Sequence, residues 1–390
     1  MKRISLSVGF SLVLTSPLAF SANYAVEARG DAMGGVGVVS GNFLTGPFYN
    51  PALVAIYRRN DDAGMILPSI GLSYNDPNDL ITDLDKVSDI INQSSKGDYS
   101  NIGELNKSLT AMQGDVLNAE LGGVVAFAIP NQFISANVFG KAYTESFVSP
   151  IIDNTACTES DFSCQLDRAK KSSVNAVSVG ITELGITLAK YQTFLGQHIA
   201  FGITPKLQRV YTYVYEASLD SYDIKDLRDN GNGETIFNMD AGALWFYGPI
   251  RIGFAANNLI SREIKTKTIT SAVSGNPISY SYDMKPQYTV GAGIVADYFT
   301  LSVDYDLNEE ERYKDFKDNT QMIRVGGEID IMRQLKLRAG YNKNLAYDNT
   351  EGTVTAGIGL SPLNLFQLDL GASYTNENAM GAYINFLASY

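Results

Sequence analysis

The chain contains a single histidine, His198, and this limits the acid–base chemistry that it can perform. A Ser-His-Asp hydrolase would need that histidine beside a serine and a carboxylate. His198 falls near a short predicted turn, and the sequence places no serine or aspartate next to it. We therefore expect a surface histidine, no catalytic residue and no enzyme; a hydrolase that uses His198 is the alternative.

Charged residues in the C-terminal third of the chain are the second place where chemistry could occur. They occupy alternate positions in apolar segments, which puts them on one face of each predicted strand. Neighbouring carboxylates can act as general acid and base, but opposite charges enclosed in a fold pair with each other. We interpret this set as a structural or conductance-tuning network, and its members are Asp304, Asp306, Arg324, Glu328, Lys336 and Arg338.

The first 21 residues predict a secretion signal. Lys2 and Arg3 precede an apolar stretch, and Ala19 and Ser21 have the small side chains of a cleavage site. We expect the mature chain to begin at Ala22; an uncleaved membrane anchor is the alternative, but the apolar stretch is short for a bilayer. Cleavage would take the formal net charge from −12 to about −14, and a chain this acidic is not expected to bind nucleic acid.

The two cysteines, Cys157 and Cys164, both lie in the part of the chain that is expected to be exported. An even number of cysteines at close spacing in an oxidising compartment predicts a disulfide within one loop. A zinc site would need further cysteines or clustered histidines. The glycine-rich residues 34–41 lack the third glycine and the flanking strand and helix of a dinucleotide site, so we expect neither a metal nor a cofactor.

Most of the remaining chain alternates apolar and polar residues with a period of two, which indicates β-strands. About fourteen segments reach the length of roughly ten residues that a tilted membrane strand needs. The predicted strands are 63–75, 117–128, 132–149, 173–190, 198–216, 236–247, 249–260, 285–297, 299–308, 320–331, 334–344, 352–361, 364–376 and 379–390.

The connections between these segments alternate between short and long along the chain. Outer-membrane barrels have short periplasmic turns and longer extracellular loops. A soluble β-sandwich, the alternative, has no reason to sort its loops in this way. We therefore predict an all-β fold, a transmembrane antiparallel β-barrel of about 14 strands, in the outer membrane of a Gram-negative bacterium.

The last residues, GAYINFLASY, alternate apolar side chains and finish on the aromatic Tyr390. Such an ending looks like the signal that the outer-membrane assembly machinery reads. The expected partners are therefore this machinery, outer-membrane lipid and lipopolysaccharide, and we expect the barrel to be a monomer.

The first long loop, about 76–116, predicts two amphipathic helices because its apolar residues recur at helical spacing. One possibility is that their apolar faces pack on each other and cap the barrel. The other is that they form a groove in which an apolar ligand first binds. The candidate contacts are Leu80, Ile81, Leu84, Val87, Ile90, Ile91, Leu105, Leu109 and Met112.

The residues after the predicted leader read ANYAVEARGDAMGGVGVVSGNFLTGPFYNPALVAIY. They combine the pair Arg29-Gly30, several glycines, and Asn50-Pro51-Ala52-Leu53 shortly before the first predicted strand. This pattern resembles the FadL-like outer-membrane long-chain fatty-acid transporters and, more closely, the conjugal-transfer TraF-type outer-membrane proteins. The chain has no CxxC motif, so the resemblance is not to the thioredoxin-like TraF.

The resemblance implies a domain arrangement and a gate. The predicted leader, 1–21, would be followed by a plug inside the lumen, 22–60, and by a fourteen-stranded barrel, 61–390. In FadL-like proteins the plug residues at this motif are proposed to shift when ligand binds, and here that role would fall to Asn50, Pro51 and Ala52.

The stretch GPFYNPALVAIY is expected to be plug rather than wall. A segment inside a closed barrel cannot join the sheet, because the wall strands use all of their hydrogen bonds on each other. Glycine permits the tight turns of this segment, and proline has no amide N–H that would need an acceptor. We expect Phe48 and Tyr49 to face the interior, where with Leu53 they would contact a ligand, and we expect the plug to be held loosely enough to move.

Two functions follow from these observations. The first is passive uptake of small hydrophobic molecules through a plugged barrel. The alternative is a structural or interaction protein of conjugation or envelope assembly that transports nothing.

Overall fold

The computed structural model describes residues 27–58, 62–76, 78–158, 161–219, 231–313, 316, 318–347, 350–362 and 366–389. The predicted leader and cleavage site and the terminal Tyr390 lie outside these residues.

Fourteen strands form one closed antiparallel barrel, in which the first strand pairs with the last. The prediction of an all-β transmembrane barrel is thereby confirmed, and the observed strand ends differ from the predicted ones by a few residues. The wall strands are β1 (Gly64–Asn75), β2 (Leu117–Ile129), β3 (Ser135–Ile151), β4 (Ser173–Phe194), β5 (Gln197–Ser218), β6 (Gly231–Tyr247), β7 (Ile250–Asn257), β12 (Gln287–Val295), β13 (Phe299–Asp306), β14 (Met322–Ile331), β15 (Leu335–Asn344), β16 (Gly352–Leu360), β17 (Phe366–Asn376) and β18 (Ala379–Ser389).

Four short strands lie in the long connection between β7 and β12. They form two small hairpins outside the wall sheet. These strands are β8 (Arg262–Lys265), β9 (Ile269–Thr270), β10 (Pro277–Ile278) and β11 (Ser281–Met284).

The wall alternates between an apolar outer face and a polar inner face. In β13, for example, Leu301 and Val303 are exposed, whereas Ser302 and Asp304 are buried. Exposed apolar side chains of this kind recur around the barrel. A continuous apolar outer surface suits lipid rather than water.

Within the described residues, five α-helices and one 3₁₀-helix accompany the sheet. Two short helices and the 3₁₀-helix belong to the N-terminal segment, so the stretch that follows Thr45 consists of two helical turns and is no strand. The helices are α1 (Ala28–Asp31), α2 (Gly46–Tyr49), the 3₁₀-helix (Pro51–Ala55), α3 (Leu80–Ser95), α4 (Ile102–Ala111) and α5 (Phe162–Lys170). Within the described residues, no helix combines the length and apolarity that a membrane crossing requires.

Helices α3, α4 and α5 pack against the outside of the barrel wall. In β4 the inward-facing series includes Ile181 and Glu183, whereas Val174 and Ala176 belong to the outward-facing series. These two outward residues share a buried cluster with α3 and α4. The first loop therefore folds back on the outer surface instead of covering the lumen, which corrects the expectation of a cap. The apolar side chains that were predicted to form a groove are buried in this cluster or packed against it.

The wall is long enough to offer this extra surface. Strands β4 and β5 have 22 residues each, a span of about 70 Å. The apolar band of an outer-membrane barrel is only about 25 Å tall. The ends of these strands therefore extend past the lipid, and their outward apolar residues are covered by helices there.

Two other loops fill part of the lumen at the same end. Tyr282 and Met284 of β11, with Tyr313 from the β13–β14 connection, pack against inward residues such as Val177 and Val179. The long loops at this end of the barrel thus pack in two places, some against the outer surface of the wall and others inside the lumen. The disulfide between Cys157 and Cys164 lies in the β3–β4 loop, at the start of α5.

The position of the helices predicts that they can be released without opening the barrel. Leu105→Ala removes a fully buried side chain from the outer cluster and should cost about 2–5 kcal/mol of local stability. We expect proteinase K to cut the first loop faster in this variant, while the barrel keeps its heat-modifiable mobility on gels. The matched control is Glu104→Ala, at an exposed position of the same helix; equal cleavage of both variants would contradict the packing.

Candidate functional site

The N-terminal segment, residues 27–58, lies inside the barrel, and we refer to it as the plug. It rests on glycine pairs that face each other across neighbouring wall strands. A β-carbon at Gly202 would lie 2.3 Å from the Pro51 carbonyl carbon, and one at Gly326 would lie 1.9 Å from the Met33 carbonyl oxygen. The pairs are Gly202–Gly242, Gly253–Gly291, Gly326–Gly340 and Gly357–Gly371. The wall therefore lacks side chains where the plug backbone touches it.

Asn50 joins the plug to itself and to the wall. Its side-chain nitrogen donates to the Val38 carbonyl at 2.9 Å and to the Ala243 carbonyl of β6 at 3.1 Å. Its side-chain oxygen accepts from the Ala52 amide at 3.0 Å and begins the 3₁₀-helix. The predicted gate residues Asn50, Pro51 and Ala52 are buried, so in this state they form an anchor.

Wall side chains satisfy backbone groups of the plug that no sheet can reach. One carboxylate oxygen of Asp304 accepts from the amides of Gly37 and Val38 at 2.7 and 2.9 Å. Asn137 of β3 donates to the carbonyls of Phe43 and Leu44 at 3.0 and 3.1 Å. The expectation of a loosely held plug is not supported, because these bonds fix its backbone on opposite sides of the lumen.

Ion pairs attach the start of the plug to the C-terminal strands. Arg29 makes a bidentate pair with Glu328 of β14, with both distances 3.0 Å. Glu328 also accepts from Arg338 at 2.6 Å, and Arg338 reaches Asp369 at 2.7 Å. Burial would lower the pKa of Arg29, but the carboxylate of Glu328 raises it above its ordinary value. In the sequence Arg29 stood out only as part of a motif, and nothing there indicated this role.

The other members of the predicted charge set have different partners. Arg324 pairs with Asp306 at 2.8 Å, Asp304 binds the plug backbone, and Lys336 donates to Gln367. All six side chains face the lumen, and they come from the neighbouring strands β13, β14 and β15. The structure brings Glu328 and Arg338 together with the plug and places Asp306 and Arg324 nearer the long loops.

A second charge cluster was not predicted. Lys206 of β5 lies 2.9 Å from Asp240 and 3.8 Å from Glu183, and Gln208 donates to Glu183 at 2.7 Å. Asp240 in turn accepts from the amide of Asn258, where the β7–β8 loop turns into the lumen. The signal in the sequence was charge at lumen-facing positions of β4, β5 and β6.

The lumen at plug level has an apolar half and a charged half, and the Lys206 cluster borders the apolar half on β4 to β6. The plug residues Val38, Val39 and Leu53 pack on small apolar residues such as Ala200 and Leu244. Further along the wall, the ring of Phe48 meets that of Phe139 edge to face at 5.4 Å. The acidic and basic residues that hold Arg29 and the plug backbone come from β13 to β17, on the other side of the plug.

The two sets of predicted ligand contacts lie far apart in the fold. Phe48, Tyr49 and Leu53 lie in the plug; Leu53 is buried against the wall, and Tyr49 packs under Gly37. The nine loop residues belong to or pack on the cluster outside the barrel. None of those nine lines any of three cavities found among the described residues of the lumen.

These cavities lie on both sides of the plug. The inner vestibule, of about 310 Å³, is at the short-turn end, and plug residues 40–44 form part of its wall. The outer vestibule, of about 520 Å³, is at the long-loop end. A small cavity of about 70 Å³ touches Gly35, Val38, Phe48 and Tyr49 from the outer side. One short stretch of the plug thus separates the two ends of the lumen.

No catalytic arrangement accompanies these features in the described residues. The ring of His198 lies 2.6 Å from the Tyr191 hydroxyl, beside the β4–β5 turn. Among the residues that the structure covers, no group of three or more acidic, histidine or cysteine side chains could hold a metal ion.

A family model described as F plasmid transfer operon, TraF, protein matches residues 47–306. That is two thirds of the chain. The chain belongs to this TraF family. The matched part of the TraF-family chain begins at the second half of the plug and reaches the end of β13. None of the curated proteins matches it in sequence.

Solved structures show the same architecture at low sequence identity. A mutant of the monoaromatic hydrocarbon channel TodX is 11% identical, with a TM-score of 0.52, and the match covers 95% of this chain and 99% of that one. A FadL homologue of Pseudomonas aeruginosa is 10% identical, also with a TM-score of 0.52, over 96% and 99% of the two chains. These matches show that the TraF-family chain shares a fold with those proteins.

The close contact between the wall glycines and the plug predicts that adding one methyl group displaces the plug. Gly202→Ala would press a β-carbon against Pro51, and backbone cannot yield as a flexible side chain can. We expect purified barrels of this variant to show larger and noisier single-channel conductance than wild type. Gly180→Ala in β4, where a β-carbon has open space, is the control. Indistinguishable traces from the two variants would contradict the contact between Gly202 and the plug.

The loop that enters the lumen should respond to pH. Burial raises the pKa of the Asp318 carboxyl to about 7, against the lowering effect of Arg312 and of the Tyr313 amide, which donates to it. Because the folded pKa lies above the unfolded one, this carboxyl favours the docked loop at acid pH and ceases to do so as pH rises through about 7.

Hydrogen exchange at Tyr313 tests this expectation. After correction for intrinsic exchange rates, protection should fall between about pH 4 and 7 in wild type and level off above pH 7. It should stay level in Asp318→Asn, whose side chain does not titrate. A parallel fall in both proteins would assign the change to another group.

Proposed function

We propose that this chain is a channel in the outer membrane of a Gram-negative bacterium, through which small hydrophobic molecules pass passively, with the plug as its gate. The observation that carries the proposal is the position of the plug between two vestibules. Its residues 40–44 line the inner vestibule, and Gly35 and Val38 line the small cavity on the outer side. Movement of one short segment would therefore join the two ends of the lumen.

The two-sided lumen supports the choice of hydrophobic solutes. The plug is held by ion pairs on the charged half, as between Arg29 and Glu328. On the apolar half it is held by packing and by hydrogen bonds to carbonyl oxygens. If residues 46–55 swing away from β3 to β6, the uncovered wall consists of residues such as Phe139, Ala200 and Leu244. The slot would then be lined mainly by apolar residues, with the Lys206–Asp240 pair at its outer edge, while the Arg29 ion pair stays intact.

The fold is compatible with this function. TodX, whose mutant structure shares the architecture, is a monoaromatic hydrocarbon channel. At 11% identity this likeness extends to the architecture only, so the substrate class of this chain rests on the apolar half of its own lumen.

A structural or interaction protein of conjugation or envelope assembly is the second candidate. The density of hydrogen bonds between plug and wall favours it, because a sealed barrel needs such fixation. The description of the family, which names a transfer operon, supports the same candidate.

Asn50→Ala is the variant that tests the gate. It removes three hydrogen bonds of the plug and should weaken plug docking by about 2–3 kcal/mol. We expect cells that express this variant to take up the hydrophobic dye 1-N-phenylnaphthylamine and toluene faster than cells with wild-type protein. Wild-type cells should in turn exceed cells with an empty vector.

The control is Asn92→Ala on the exposed side of α3, which should match wild type. Uptake equal to the empty vector for both wild type and Asn50→Ala, with normal barrel levels in the membrane, would contradict the channel. Reduced mating or altered envelope integrity in a deletion strain would then favour the second candidate.

A further inference from the structure

The outer vestibule is lined mainly by polar residues, unlike the apolar half of the lumen at the level of the plug. Of the 19 residues around it, seven are asparagines and four are threonines. The inward-facing asparagines come from four strands, with Asn75 in β1, Asn118 in β2, Asn342 and Asn344 in β15 and Asn376 in β17. Amide and hydroxyl groups therefore surround a cavity of about 520 Å³, which lies in the size range of small-molecule sites.

Most fixed charges at this cavity are engaged within the protein, although one carboxylate oxygen of Asp318 has no hydrogen-bond partner among the described residues. The guanidinium of Arg312 donates to both carboxylate oxygens of Glu145 at 2.6 Å and to the Asp318 carbonyl at 2.6 Å. The carboxylate of Glu351 accepts from Asn376 at 2.7 Å. A charged ligand would find few free countercharges there. Most lining amide nitrogens also donate within the protein, as those of Asn342 and Asn344 do, so a neutral ligand would meet chiefly the Asn75 and Asn118 side chains and the second lone pairs of the hydroxyl and carbonyl oxygens.

Two of the lining asparagines lie side by side. Asn75 and Asn118 are register partners on adjacent strands, and both line the cavity. The side-chain oxygen of Asn118 is buried and has no hydrogen-bond partner among the described residues. A buried acceptor without a partner is costly, so rotation of the Asn118 amide toward the cavity would let a ligand hydroxyl make the bond that the protein leaves unmade.

We propose that the outer vestibule binds a neutral, polyhydroxylated ligand, of the chemical class of short saccharides. Asparagine side chains offer a donor and an acceptor on one planar group, which suits the adjacent hydroxyls of a sugar ring. Tyr347 and Phe147 add aromatic surface to the same cavity, and sugar rings pack their C–H faces on such surface. The vestibule is the outer end of the proposed passage, but ligand binding there needs no movement of the plug and so does not depend on the gate.

The vestibule also touches the plug. Asn342 lines the cavity and donates to the Gly34 carbonyl at 3.1 Å. A ligand that competes for this amide would loosen one plug contact, and one that orders it would tighten the contact. Binding at the outer mouth is thus in direct contact with the gate.

The test is titration calorimetry on the full chain, refolded or purified in a detergent without a sugar head group, such as LDAO. The probe is maltotriose. We expect saturable binding that Asn118→Ala weakens about fivefold, the effect of one neutral hydrogen bond. Asn92→Ala on the outside of α3 should bind maltotriose as wild type does, and heat-modifiable mobility on gels verifies that each variant is folded.

The outcomes separate this proposal from the channel. No saturable maltotriose binding by folded wild type, or equal binding by Asn118→Ala, would overturn the saccharide site and leave the plug gate unaffected. Binding of maltotriose but not of a long dextran would assign the site to free short saccharides, and binding of both would assign it to the ends of surface glycans. Saturable toluene binding that Asn118→Ala weakens, with no binding of maltotriose, would show that the vestibule takes apolar ligands.

Discussion

A backbone segment inside a closed barrel must obtain its hydrogen bonds from side chains, and the interior of this protein is organised around that constraint. The wall strands use their own amides and carbonyls on each other. Asp304 and Asn137 therefore supply what a sheet partner would have given to Gly37, Val38 and Phe43. The glycine pairs complete the arrangement, because a side chain there would hold the plug too far from the wall for these bonds to form.

The same constraint explains why the lumen is two-sided. Charged side chains can enter a barrel only where they find partners, and the start of the plug brings Arg29 to Glu328 on the C-terminal strands. The second half of the plug carries apolar residues, and the wall that it meets is made of residues such as Ala200 and Leu244. The plug is thus held by ion pairs on the charged side and by packing and neutral hydrogen bonds on the apolar side. We therefore expect the apolar side to separate first.

The sequence predicted the barrel well and the use of its loops poorly. Period-two alternation, as in β13, reports directly which face of a strand meets lipid, so the strand count and most strand ends could be obtained without a structure. The amphipathic face of α3 shows that it is covered by something, but amphipathicity does not identify the covering surface. That surface is the outward face of β4 around Val174 and Ala176, and it exists only because β4 continues beyond the lipid. The pairing of Gly202 with Gly242 depends on strand register, which period-two alternation does not determine.

The long loops pack either outside the wall or inside the lumen, and this determines which part of the outer mouth stays open. Since α3 to α5 lie outside the wall, they add rigidity there without narrowing the lumen, whereas the loop that carries Tyr313 fills the side of the lumen next to β3 and β4. What stays open is the side next to β1, β2 and β15 to β17, where the inward residues are asparagines and threonines. A wall that only had to be filled would be expected to carry apolar side chains, as it does under Tyr313. The polar lining of the open side therefore suits contact with water and hydroxylated solutes, and it places a polar surface in front of the proposed gate.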